Sequence, residues 1–155
     1  MTKSWWACGM VVLGLACAGD EADDGFGPAT CDGGGEPLIE LGSGGQLGFE
    51  PYADGEQVPV RPDGETVEVQ LWTSGLDTTE SMIVTVRTAI NGGESRDSTA
   101  SFTLVCPEEE GRGWLTVYPY LPVEAADGDR VTVTATATDA QETSASGSVE
   151  LQLQF

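Results

Sequence analysis

The stretch RVTVTATATD, residues 130–139, constrains the fold more than any other. Val131, Val133, Ala135 and Ala137 alternate with Thr132, Thr134, Thr136 and Thr138. A period of two sends alternate side chains to opposite faces of a strand, one face toward a core and the other toward water. The pattern recurs along the chain. Val149, Leu151, Leu153 and Phe155 alternate with Glu150, Gln152 and Gln154; Val67, Val69 and Leu71 with Glu68, Gln70 and Trp72; Met82, Val84 and Val86 with Ile83, Thr85 and Arg87. Phe102, Leu104 and Cys106 share a face of a further candidate strand, and GWLTVYPYL adds another whose Pro119 marks an edge or a strand end. No stretch sustains a helical period. Turn chemistry separates the runs in PYADGEQ, RPDGE, NGG, PEEEG and ADGDR. Short strands at this spacing predict an all-β domain over residues 36–155, a β-sandwich of about seven to eight strands.

The first 16 residues follow a different rule. Lys3 precedes a run of uncharged, mostly apolar residues from Trp5 to Ala16, the layout of a secretory signal peptide. A membrane-spanning helix needs about 20 apolar residues, and Ala18, Gly19, Asp20 and Glu21 end this run too soon. The five residues LGLAC that close it, Leu13 to Cys17, resemble the lipobox of bacterial lipoproteins. That resemblance implies cleavage before Cys17 and acylation of its thiol by several chains, enough for stable membrane attachment. By the same resemblance, Ala18 in second place, where aspartate would retain the protein in the inner membrane, implies an outer-membrane or cell-surface destination. Residues 17–35 then form an acidic, glycine-rich tether that is too poor in apolar side chains to order itself.

Charge narrows the partners. The chain carries 26 acidic residues against six basic ones, for a formal net charge of −20, and its only lysine lies in the signal segment. Such a surface repels phosphate backbones, which excludes nucleic acid, and suits a solvated monomer. With Cys8 lost in the signal and Cys17 acylated, Cys31 and Cys106 remain, and an oxidising, exported setting predicts that they pair. Closing a loop of about 75 residues would remove roughly 4.5 kcal/mol of unfolded-state entropy in the chain-entropy model.

The last 29 residues, DGDRVTVTATATDAQETSASGSVELQLQF, resemble the final two strands of bacterial immunoglobulin-like or PKD-like extracellular domains. The resemblance implies an immunoglobulin-like sandwich. End to end, the chain is similar to the uncharacterised small lipoproteins that many Gram-negative bacteria export.

Catalytic chemistry has little to work with. The chain has no histidine, which removes serine–histidine and cysteine–histidine hydrolysis and argues against zinc. Paired carboxylates could still serve a glycosidase, but Glu108, Glu109 and Glu110 read as a solvated turn. The expectation is therefore a non-enzymatic surface module, structural or protein-binding, meeting an envelope protein or glycan. Two binding alternatives stay open. Asp127, Asp129 and Asp139 offer the oxygen ligands that Ca²⁺ accepts, although strand 130–138 separates the first two from the third. Trp114, Tyr118 and Tyr120 fall on one face of an extended segment, as a carbohydrate or protein platform would require.

Overall fold

The computed structural model describes residues 35–45, 48–78, 80–103 and 113–155. The signal segment, nearly all of the tether, Cys17, Cys31, Cys106 and Glu108 to Glu110 lie outside the described residues, and so do the lipidation and the disulfide expected of them. Among the described residues the chain is all-β. Nine strands form: β1 (Leu38–Gly45), β2 (Gly48–Pro51), β3 (Glu56–Pro59), β4 (Val69–Ser74), β5 (Met82–Ile90), β6 (Ser95–Phe102), β7 (Gly113–Val117), β8 (Arg130–Thr138) and β9 (Ser144–Gln154). They exceed the seven to eight expected. The surplus lies between residues 38 and 59, where glycines and prolines mask the alternation.

Two sheets result, ordered β2-β1-β4-β7 and β3-β9-β8-β5-β6. All neighbours are antiparallel except β3 and β9, which run parallel with Glu56 to Pro59 beside Leu151 to Gln154. One apolar core joins the sheets, as in a β-sandwich: Ile39, Leu41, Val69, Leu71 and Val117 from the first meet Val84, Val86, Val131, Val133, Leu151 and Leu153 from the second. Period two fixes which residues enter it, because a slip of one position would turn each apolar set toward water. The layers come closest where side chains are smallest. A Cβ added to Gly147 on β9 would sit 2.5 Å from the carbonyl oxygen of Ile39 and 2.9 Å from the Leu41 side chain on β1.

The outer face of the larger sheet is a grid. Four outward positions on each of β9, β8, β5 and β6 align in four rows, and eleven of the sixteen are serine or threonine. Cross-strand hydroxyl pairs tie it together: Thr134 with Ser148 at 2.9 Å, Thr136 with Ser146 at 3.1 Å, Thr138 with Ser144 at 2.8 Å and Thr85 with Thr99 at 2.9 Å. Its charges are matched, Arg87 to Asp97 through two bonds of 2.7 and 2.8 Å and Glu150 to Arg130 at 3.0 Å. On a chain of net charge −20, this face is neutral.

Candidate functional site

The three aspartates singled out in the sequence separate to the two ends of β8. At its start, the Asp129 carboxylate accepts from the Ala126 N–H at 2.9 Å, and the Asp127 carboxylate accepts from the Phe155 N–H at 2.9 Å. Gly128 between them adopts φ +82°, the left-handed turn conformation that glycine takes without strain. At the far end, Asp139 is buried at 7% exposure. Its Oδ1 accepts from the N–H groups of Gln141 at 3.0 Å and Thr143 at 2.8 Å, and its Oδ2 from that of Asp77 at 2.9 Å. These carboxylates cap turns. Nine strand residues at about 3.4 Å each keep Asp139 from joining the other two, and no acidic cluster suited to a metal ion forms among the described residues.

The aromatic residues assemble more than the sequence shows. Register places Trp72 of β4 directly beside Trp114 of β7 on the outer face of the smaller sheet. Phe49, reaching across from β2, stacks on Trp72 with ring centroids 4.8 Å apart. Gly42 makes room for it, since a Cβ there would lie 2.7 Å from the Phe49 ring. The Trp72 indole N–H is buried with no hydrogen-bond partner among the described residues. Beyond β7, Pro119 and Leu121 turn inward while Tyr118 and Tyr120 stay 46% and 44% exposed. Each ring carries a guanidinium over its face, Arg61 at 4.3 Å from the Tyr118 centroid and Arg96 at 4.5 Å from that of Tyr120, geometry that favours cation–π attraction. Thus Trp114 joins a Phe49–Trp72 cluster, whereas the two tyrosines form arginine stacks. Sequence reasoning missed Phe49, Trp72, Arg61 and Arg96 because strand pairing brings them together.

Beside the tyrosines, the gap between the sheets opens into a cleft of about 260 Å³, lined by Val84, Val86, Ala100, Phe102, Val117 and Pro119 among others. The two stacking arginines differ in their partners. Arg61 has Asp63 at 3.7 Å, while Arg96 donates to the Leu121 carbonyl at 3.3 Å. Two carboxylates sit below their usual range. Asp63 is lowered mainly by the Thr66 hydroxyl, then by the Glu65 N–H, and Asp97 by its bond from Arg87. Tyr52, whose hydroxyl donates to the Glu68 carbonyl at 3.2 Å, has its pKa pushed up to about 12 by burial first, then by Glu56 and Glu68.

No protein-family model, curated protein or solved structure matches this chain.

Proposed function

We propose that the chain is an exported, lipid-anchored surface module with an immunoglobulin-like sandwich, and that its role is structural or protein-binding and not enzymatic. The observation that carries the fold label is strand order. β1-β4-β7 reproduces the A-B-E run of one immunoglobulin sheet, and β9-β8-β5-β6 reproduces the G-F-C-C′ run of the other in variable-type domains. Fold class alone does not set function; export rests on the signal layout and the lipobox resemblance of residues 13–17. Intact-mass analysis of protein from the membrane fraction tests the anchor: diacylglycerol on Cys17 is expected, and unmodified protein in the medium would overturn it. Alkylation without reductant should leave Cys31 and Cys106 unlabelled.

A carbohydrate-binding role is the second reading, favoured by the exposure of Tyr118 and Tyr120. Neutral and acidic polysaccharides that shift the melting temperature of the parent but not of Y118A/Y120A would support it. Ca²⁺ titrated in the same assay tests a calcium-dependent adhesion role, because a bound ion stabilises by mass action.

A further inference from the structure

We propose that the β6 edge left unpaired among the described residues pairs antiparallel with β6 of a second copy, so that two five-stranded sheets join into one of ten. This pairing is separate from the membrane anchor and needs only the sheet edge. An edge strand presents a row of unpaired backbone N–H and C=O groups, which makes another extended strand the chemistry that fits it. Edges are ordinarily blunted by proline, lysine or short length. β2 and β3 are four residues each and end on Pro51 and Pro59, and β7 is five residues with Pro119 two positions on. β6 has eight residues, SRDSTASF, with no proline and no lysine, and among the described residues only β5 pairs with it.

Both surfaces of β6 favour its own kind as the occupant. On the outer side it borders the neutral hydroxyl grid, where two copies of a chain with net charge −20 can meet without like charges opposed. On the inner side Ser98, Ala100 and Phe102 line the apolar cleft together with Thr116 and Val117 of β7, and most of β6 stays exposed. A two-fold axis perpendicular to the sheet keeps residues of one face together only if partners have the same parity. Centred on Thr99, this places Thr99 opposite Thr99, Asp97 opposite Ser101, Ser98 opposite Ala100 and Arg96 opposite Phe102. Opposed like charges destabilise a strand pair, and this register contains none, whereas centring on Asp97 would oppose two carboxylates. The Thr85–Thr99 hydroxyl row would then run on unbroken into the second copy. The surface buried by one pair of strand edges falls short of the roughly 800 Å² per partner of a stable complex, so the dimer is a weak one that forms at high local concentration.

Sedimentation equilibrium of the purified full chain is expected to show mass rising toward twice the monomer as concentration climbs from about 50 μM to about 1 mM, the regime of a small interface. Raising NaCl should increase the dimer fraction by screening the repulsion between the two acidic bodies. T99K puts two cations on the axis and should leave a monomer with an unchanged circular dichroism spectrum; S101P, which deletes an N–H that alternation points away from β5, is the second variant. Under mild oxidation T99C should cross-link into a reducible dimer, and S146C, on the same face but on β9, should not. A monomer at every concentration overturns the proposal. So does a dimer that salt weakens, one that survives T99K (as association through acyl chains would), or T99C that cross-links only to a foreign chain.

Discussion

Replacing Asp139 tests whether a single carboxylate holds the connection between the sheets to the β8–β9 hairpin. Its two oxygens accept three backbone N–H bonds of 2.8 to 3.0 Å, two from the hairpin and one from Asp77, 62 positions away in the crossing from β4 to β5. A hydrogen bond to a charged group contributes about 1.5 to 3 kcal/mol net, less where water can replace the acceptor. Gln141 is exposed and regains water; Asp77 and Thr143 are half-buried and regain it poorly. D139A should therefore cost about 3 kcal/mol, a large share of a domain stability of roughly 5 to 15 kcal/mol. In a domain of this size that lowers the melting temperature by roughly 10 °C. D139N keeps one acceptor oxygen for the hairpin but turns an NH₂ toward the Asp77 N–H, so about half the loss is expected. D127A, removing one exposed bond to Phe155, should stay within about 1 kcal/mol. Urea unfolding monitored by tryptophan fluorescence measures all three. If D139A falls within 1 kcal/mol of the parent, or matches D127A, the carboxylate does not join the two segments and the reasoning fails.

Three further outcomes follow from the same structure. G147A should destabilise by about 1 to 3 kcal/mol, because the new methyl meets the β1 backbone, which cannot move without opening the layer; thermal unfolding reports it. In alkaline titration followed at 295 nm, one tyrosine should ionise only near pH 12 and vanish in Y52F. The folded state holds that proton more tightly than the unfolded chain, so this contribution to stability is complete below pH 10 and fades as pH rises from 10 to about 12. On the acid side, Asp63 and Asp97 are lowered from 3.8, so their stabilisation is present above that value and is lost as pH falls below it. D97N should flatten that limb of the stability curve.

Period two was enough to find β4, β5, β8 and β9 from Val149 onward, since each alternates and buries one face; it also found β7, although only Gly113 and Val117 are fully buried there. It failed from residue 38 to 59. In β1, LIELGSGG, only Ile39 and Leu41 are buried on the inner face, and the outward Gly42 and Gly44 have no side chain to mark the alternation. β2 and β3 are edge strands of four residues, too short to establish a period. The candidate site was legible to the same depth. Alternation through Pro119 puts Tyr118 and Tyr120 on one face, a local property, and the structure leaves both exposed. The Trp72–Trp114 neighbourhood depends on β4 meeting β7 in one register, and the arginine over each tyrosine depends on segments about 24 to 57 residues away. No local pattern encodes such proximity. Asp139 shows the limit from the other side: its place at a strand end was visible, but its bond to Asp77 was not.

The parallel seam between β3 and β9 has a mechanical meaning. Gly55 donates to Glu150 at 2.7 Å at one end of it and Val60 to Gln154 at 2.8 Å at the other. Because the two strands point the same way, tension that draws the start of β3 and the finish of β9 apart slides one along the other. Every bond in the seam then shares the load and must rupture together, whereas a hairpin such as β8–β9 pulled from its open end unzips one rung at a time.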